Sequence, residues 1–217
     1  MKQKCLFFLI AVTCALTTRA QIEKGSLLIG TGIGYSQGKV KYDQSIAATK
    51  TNTFTISPSV GVAIKENLVA GVRFAYSKQK QKITYEANNT RDIDNKSFGA
   101  GIYFRRYVAL INRLYVFGEG TAAYTSIKQI STQNYYNSKT EQKITGYSTG
   151  LSFTPGISYG VCKKFQIEGG FNSLFSATYL KTKATSPTSY TQKADQFSVG
   201  IGQEDESMFY VGFKFVL

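Results

Sequence analysis

The sequence lacks histidine and tryptophan altogether, and it is poor in proline, cysteine and charge. It has 217 residues, of which 3 are proline, 3 are cysteine and only 18% are charged. Without histidine, general acid–base catalysis and most transition-metal sites lose their commonest side chain. We therefore expect no enzyme, no cofactor and no metal site. A hydrophobic fraction of 42% argues against a disordered chain.

The N-terminal segment has the features of a secretory signal peptide. Two lysines precede an apolar run at residues 5–16, and small residues flank the arginine at positions 18–20. The run is too short for a transmembrane helix. A lipoprotein cleaved before Cys14 is an alternative, although the residues before it fit that pattern poorly. We expect residues 1–20 to be removed and residues 21–217 to form one domain.

Removal of this segment lowers the formal net charge from +13 to +10 and takes away two of the three cysteines. Cys162 is then the last cysteine, so no internal disulfide can form in spite of export to an oxidising compartment. Stability must therefore come from the fold itself.

The rest of the chain contains period-two alternation, which is typical of β-strands. Large apolar residues alternate with glycine from Leu27 to Tyr35. The small face of such strands holds mainly Gly, Ser, Thr and Ala, which suits a narrow lumen better than a water-facing surface. We infer that the bulky face contacts lipid, as in a transmembrane β-barrel. In the last strand the bulky face comprises Phe209, Val211, Phe213, Phe215 and Leu217.

Eight strands are predicted from this alternation: Gly25 to Gly38, Thr51 to Lys65, Leu68 to Lys82, Asn95 to Val108, Leu114 to Lys128, Ile144 to Val161, Phe165 to Lys181, and one ending at Leu217. Short turns alternate with long polar loops, near residues 39–50, 83–94, 129–143 and 182–195. All short turns should therefore share one mouth. The predicted fold class is all-β, an eight-stranded antiparallel up-and-down transmembrane barrel.

A further strand-like run, Gln196 to Gly202, would make the strand count odd. We interpret it as an extracellular extension of the last hairpin. The acidic residues that follow, Gln203 to Ser207, suggest a solvated turn more than a calcium site.

Charged residues on the small face should meet inside the barrel. In the fifth strand either face could contact lipid, but Glu119 should turn inward because a carboxylate in hydrocarbon is costly. We predict that the charged residues of the small face form a buried plug of ion pairs in the lumen: Arg73, Arg105, Glu119, Glu168 and Lys214.

Aromatic residues should form two girdles on the lipid face. We assign Tyr35, Tyr76, Tyr124, Tyr147 and Tyr179 to the loop end. Phe165, Phe215 and Tyr107 are assigned to the turn end.

Lysines concentrate at the loop ends of the strands, where Lys78, Lys80 and Lys82 alternate with glutamine. Basic groups just above a membrane bind anionic headgroups, so membrane lipid and lipopolysaccharide are the expected partners. A merely solvated rim is the alternative. Nucleic acid is not expected, because the basic residues are tied to the rim of a membrane barrel.

The glycine-alternating strand Gly30 to Tyr35 and the C-terminal stretch Phe209 to Leu217 together resemble the outer-membrane β-barrel domain family of small porin-like proteins, related to the OmpX and OmpA barrels. The resemblance implies the outer membrane of a Gram-negative bacterium and no single activity. The bulky C-terminal residues resemble the signal read by the outer-membrane assembly machinery. That family usually ends on an aromatic residue, whereas this chain ends on Leu217.

The function we expect is that of a non-enzymatic monomer with a role in envelope integrity or surface interaction through basic extracellular loops. Two alternatives stay open: a small porin-like channel and an exported soluble ligand-binding barrel.

Overall fold

The computed structural model describes residues 22–41, 48–85, 89–135, 138–171, 174–185, 191–201 and 209–217. The predicted signal peptide and the acidic run Gln203 to Ser207 lie outside these residues. No helix in the described ranges is long and apolar enough to cross a membrane. The strands are β1 (Leu27–Lys41), β2 (Ala48–Lys65), β3 (Leu68–Thr84), β4 (Thr90–Ile111), β5 (Leu114–Tyr135), β6 (Ser138–Cys162), β7 (Phe165–Phe171), β8 (Phe175–Thr185), β9 (Thr191–Ile201) and β10 (Phe209–Val216).

Eight of these strands close a ring in the order β1, β2, β3, β4, β5, β6, β7 and β10, with β10 paired back to β1. All pairings are antiparallel, which confirms the predicted eight-stranded up-and-down fold. The three predicted short turns lie at one mouth, at Glu66-Asn67, Asn112-Arg113 and Lys163-Lys164. Asn67 and Arg113 have φ values of 57° and 66°, the left-handed backbone that tight hairpins require.

The strands are tilted, as the stagger of their pairing shows. We start at Ile157 on β6 and move from each residue to its paired neighbour on the next strand, passing Ile33 and Phe98. One full circuit returns to β6 at Tyr147, which lies ten residues nearer the loop mouth than Ile157. For eight strands, such a stagger accompanies a tilt of roughly 40° and a lumen just wide enough for side chains.

The loop-side half of the ring differs from the expected closed ladder. The predicted seventh strand is divided into β7 and β8, and the loop-side half of β6 pairs with β8. Residues 196–201 of the predicted run belong to β9, which among the described strands pairs with β8 alone, and Gly202 lies outside the described residues. Pairing between β1 and β10 ends at Ile33, and no Cα atom of β1 lies within 8 Å of β9. Among the described residues, the ring is therefore closed through its turn-side half, and no pairing joins β1 to β9.

The orientation of the two faces agrees with the sequence. Large apolar side chains cover the exterior, for example Leu151, which is 61% exposed. The five tyrosines of the loop-end girdle lie on this face, where Tyr124 stacks on Tyr147 at 5.6 Å. Tyr107 was assigned to the wrong face, because it is buried in the lumen. Its ring fills the interior beside Tyr115 and Phe117.

The long polar loops were also predicted wrongly. Strands extend into each of the four segments, so that β5 reaches Tyr135 and β6 already begins at Ser138. Beyond the membrane both faces of a strand meet water, so polar residues occur at every position and period-two alternation disappears. The sequence therefore looks like a loop where the chain forms a projecting ribbon.

The core lies in the turn-side half of the lumen. Buried Leu28, Val69, Tyr103 and Tyr107 form part of it. Ile22 closes the turn-side mouth: its N–H donates to Oδ1 of Asn67 at 3.0 Å, and its carbonyl accepts from the N–H of Asn67. Towards the loops the lumen becomes polar.

Candidate functional site

The center of the lumen is the guanidinium of Arg105, which is 0% exposed. Its Nε donates to Oε2 of Glu119 at 2.7 Å, and its Nη1 donates to the hydroxyl of Tyr107 at 3.0 Å. The same Nη1 also forms an ion pair with Oε2 of Glu168. Arg105 lies 4.1 Å from the ring center of Phe117, close enough for a cation–π contact. Every face of this buried cation therefore has a partner.

Glu119 connects Arg105 to a second cation. Nη1 of Arg73 lies 2.5 Å from Oε1 of Glu119, and Nη2 of Arg73 donates to Oε2 at 2.9 Å. Thr121 donates a third hydrogen bond to Oε1. The Arg73 side chain is 24% exposed, whereas Glu119 is fully buried. Arg73 thus forms the upper surface of the cluster, facing the polar part of the lumen.

Lys214 is buried in the same cluster without a carboxylate beside it. Its Nζ donates to Oγ of Ser59 at 3.0 Å and lies 5.4 Å from the ring center of Tyr103. The structure thus brings together all five predicted lumen residues, which we call the lumen plug: Arg73, Arg105, Glu119, Glu168 and Lys214. The plug holds three cations and two carboxylates.

Glycines make room for the plug, as expected of small residues in a narrow lumen, although the sequence did not show which side chain each glycine faces. A Cβ added at Gly156 would lie 2.8 Å from Cε1 of Phe117, and one at Gly212 would lie 2.9 Å from Cγ of Glu168. Both distances are too short for unstrained packing. The small residues therefore accommodate bulky partners from other strands, and do not leave the lumen empty.

This arrangement can seal the lumen. Arg105, Glu119 and Lys214 are at most 1% exposed, and aromatic rings fill the space between them and the wall. The described residues contain no group of three or more metal-ligating side chains. The lumen plug is therefore suited to blocking passage and to fixing the strands.

The second candidate site is a set of outward-facing lysines at the loop-side ends of the strands. Lys78 pairs with Lys96 across β3 and β4, and Lys96 pairs with Lys128 across β4 and β5. The predicted residues Lys80 and Lys82 lie opposite Asp94 and Asp92. We call the whole set the lysine belt: Lys39, Lys50, Lys78, Lys80, Lys82, Lys96, Lys128, Lys139, Lys143, Lys181, Lys183 and Lys193.

The belt is richer in positive charge than the stripe predicted from β3 alone. Four acids share its face, Asp92, Asp94, Glu141 and Asp195. Within the described ranges, the ion pairs lie in the lumen plug, and no belt lysine has a carboxylate within 4.0 Å. Like charges directly opposite each other on neighbouring strands destabilise a sheet. The three-lysine row therefore needs a compensating anion or water.

An apolar groove lies on the exterior directly below this row. It has a volume of about 910 Å³ and is lined on its outer side by Phe74, Ala100, Ile102, Ala122 and Tyr124, among others. Ala100 and Tyr124 lie four residues below Lys96 and Lys128 on the same strands. Cationic groups thus stand above a groove suited to acyl chains.

The predicted assembly residues lie on the outside of β10. Val211 and Phe215 are exposed, and Phe213 stacks on Phe165 at 6.1 Å. Leu217 follows the strand and exchanges two hydrogen bonds with Leu27. Phe209 begins the strand, and its side chain lies outside what the structure describes.

Comparison with known proteins gives one family and several solved structures. The profile of the autotransporter β-domain family matches residues 31–171, which is more than half of the chain. None of the curated proteins compared with this chain matches it significantly.

The outer membrane protein OprG from Pseudomonas aeruginosa is similar with a TM-score of 0.50 and 11% identity, over 90% of this chain and 97% of that one. The translocator domain of the autotransporter NalP from Neisseria meningitidis gives a TM-score of 0.49 and 10% identity, over 99% of this chain and 95% of that one. A major outer membrane protein from Thermus thermophilus gives 0.48 and 10%, over 90% of this chain and all of that one. At such identities the likeness concerns the fold alone.

Proposed function

The chain belongs to the autotransporter β-domain family of outer-membrane barrels, and from this premise we propose that it is a non-enzymatic barrel that binds phosphorylated lipid in the outer leaflet. The observation that carries this proposal is the row Lys78, Lys96 and Lys128, whose charges stand side by side without a carboxylate partner. A phosphate between them would relieve their repulsion. The role is one of envelope integrity, through anchoring of lipopolysaccharide.

The groove below the row favours an acylated ligand over a soluble polyanion. Phosphate groups at the level of the lysine belt would place attached acyl chains against the apolar residues below it. Each lysine near an anionic membrane surface contributes about 1 kcal/mol. Three lysines could thus strengthen binding roughly 100-fold at low salt.

The rest of the expectation is proposed with this function. The protein would be exported to a Gram-negative outer membrane with a cleaved signal peptide, and its C-terminal strand would be read by the assembly machinery. Kinship with the OmpX and OmpA barrels, in their eight-stranded form, is part of the same proposal. The closed ring of eight strands, formed by β1 to β7 and β10, supports the eight-stranded form.

Two other functions fit less well. Conduction of solutes or passage of a polypeptide would need an open lumen, and the lumen plug argues against both. A soluble carrier would need a wettable exterior, whereas the exterior carries exposed Leu151, Ile157 and Val211.

Binding of lipopolysaccharide by the full chain in detergent tests the proposal. We expect the triple variant Lys78→Gln, Lys96→Gln, Lys128→Gln to bind roughly 100-fold more weakly at low salt, with a smaller loss at high salt. A matched control removes three exposed lysines at the opposite mouth, Lys65, Lys163 and Lys164, and should bind as the wild type does. Equal weakening in both variants, or undiminished binding of the dephosphorylated glycolipid, would contradict the proposal.

A further inference from the structure

A pocket of mixed charge lies on the exterior, on the loop side of the row Lys78, Lys96 and Lys128. It has a volume of about 410 Å³ and extends over β2, β3, β4 and β5. We call it the mixed-charge pocket, and its charged lining residues are Lys50, Lys80, Lys82, Asp92 and Asp94. All five belong to the same copy of the chain, so the pocket needs no oligomer.

The two signs of charge are separated across the pocket. The lysines come from β2 and β3, and both carboxylates come from β4. Lys80 lies directly opposite Asp94, and Lys82 lies directly opposite Asp92. The Cβ atoms of such pairs are about 5 Å apart, which is close enough for a salt bridge. These four side chains nevertheless form no ion pair within 4.0 Å, and they stand on either side of the pocket without closing it.

One carboxylate oxygen in the pocket has no donor. Oδ1 of Asp94 is shielded from solvent and accepts no hydrogen bond. A shielded carboxylate oxygen without a donor is costly, so a bound molecule that donates to it would be stabilised there. A plain phosphate has no such donor, and the two carboxylates would repel it. Three lysines beside two aspartates instead match a ligand that carries both an anionic and a cationic group.

We propose that the mixed-charge pocket binds a phosphoethanolamine group carried by lipopolysaccharide. The phosphate of this group binds Lys50, Lys80 and Lys82, and its primary ammonium donates to Asp92 and Asp94. Hydrogen bonds between charged groups of this kind are stronger than those between neutral groups. A two-carbon spacer separates the ammonium from the phosphate, a length comparable to the distance of about 4.8 Å between neighbouring strands. The group thus spans from the lysines of β3 to the carboxylates of β4.

The position of the pocket favours lipopolysaccharide as the carrier. Lys80 lies two residues beyond Lys78 on β3, which is about 7 Å along the strand. A phosphate bound by the row Lys78, Lys96 and Lys128 would place a phosphoethanolamine attached to it at the level of the pocket. This inference rests on the proposed function, because the row must bind the first phosphate. It adds that the protein distinguishes the modified glycolipid from the unmodified one.

Binding of the full chain in detergent to lipopolysaccharide with and without phosphoethanolamine on its lipid phosphates tests the inference. We expect the wild type to bind the modified form about 5-fold more tightly. The variant Asp92→Asn, Asp94→Asn should lose this preference and bind the unmodified form at least as well as the wild type, with folding checked by heat-modifiable gel mobility. The matched control Glu23→Gln, Glu66→Gln removes two exposed carboxylates at the opposite mouth and should keep the preference. Acetylation of the ligand amine removes its charge and should abolish the preference.

Several outcomes would overturn the inference. Equal affinity of the wild type for the two forms would do so, and so would a preference that survives both aspartate substitutions. A preference that disappears when divalent cations are chelated would show that a metal ion, and not an ammonium, bridges the carboxylates to the ligand. Vesicles of phosphatidylethanolamine that compete as strongly as the modified form would assign the pocket to a glycerophospholipid.

The failure of this inference can be distinguished from the failure of the proposed function. Unmodified lipopolysaccharide and the triple variant of Lys78, Lys96 and Lys128 test the proposed function alone. Weaker binding of the unmodified form by that variant, together with equal affinity of the wild type for both forms, would refute only the phosphoethanolamine site. Absence of binding to either form would refute both.

Discussion

Replacement of Arg105 by methionine isolates the energetics of the lumen plug. Methionine keeps most of the volume and removes the charge, so that Glu168, 4% exposed, loses its ion-pair partner. Glu119 keeps its contact with Arg73. Removal of one member of a buried pair destabilises a protein by about 3–5 kcal/mol, because the other charge stays buried and uncompensated. Loss of the hydrogen bond to Tyr107 adds about 1 kcal/mol.

The double variant Arg105→Met, Glu168→Met distinguishes this cause from lost contacts. It removes more polar interactions than the single variant, yet it leaves no isolated carboxylate. Replacement of a whole buried ion pair by apolar residues is often neutral or stabilising. We therefore expect the double variant to recover most of the stability that the single variant loses.

Equilibrium unfolding in urea, with the barrel folded in lipid vesicles, measures these differences. Tyrosine fluorescence is the signal, since the chain has 15 tyrosines and no tryptophan, and gel mobility before and after boiling gives an independent reading. Arg106→Met is the matched control, because Arg106 is the exposed neighbour and donates only to a turn carbonyl at 3.3 Å. A double variant as unstable as the single one would refute the explanation from an uncompensated charge.

Two further predictions concern packing and passage. Gly156→Ala should destabilise the barrel by about 1–3 kcal/mol, because the added Cβ would meet Phe117 and a backbone oxygen. The control Gly120→Ala should be nearly neutral, because no atom lies within 4 Å of its added Cβ. Equal urea midpoints for the two variants would contradict the role of glycine in accommodating the plug. In planar bilayers the wild type should conduct no more than leak, while Phe117→Ala with Tyr103→Ala should raise the conductance; wild-type single-channel steps would contradict sealing.

The sequence predicted the two faces of the sheet because alternation is a local property. Glu119 alone oriented β5, and the alternation of Phe213 and Phe215 with smaller or polar residues oriented β10. The same logic failed for Tyr107, because β4 has large residues on both faces and tyrosine suits either a lumen or an interface. The sequence of β4 by itself does not show which of its two faces points into the lumen.

Contacts between strands were the part that could not be predicted. Gly156 accommodates Phe117 from a neighbouring strand, and the row of Lys78, Lys96 and Lys128 depends on the register of three strands. The division of the predicted seventh strand into β7 and β8 accompanies different registers of β6 with β7 and with β8. Each depends on residues distant in the chain, which a periodic pattern does not relate to one another.

The pairing of β1 with β10 has a kinetic consequence. Six of the eight pairings in the ring join consecutive strands, and the pairing of β7 with β10 spans two intervening strands, whereas this pairing joins the first strand to the last. Closing so long a loop carries the largest entropic penalty, and few residue pairs compensate for it there. Circularisation should thus be the slow, final event of folding, preceded by a curved sheet with both terminal strands still unjoined.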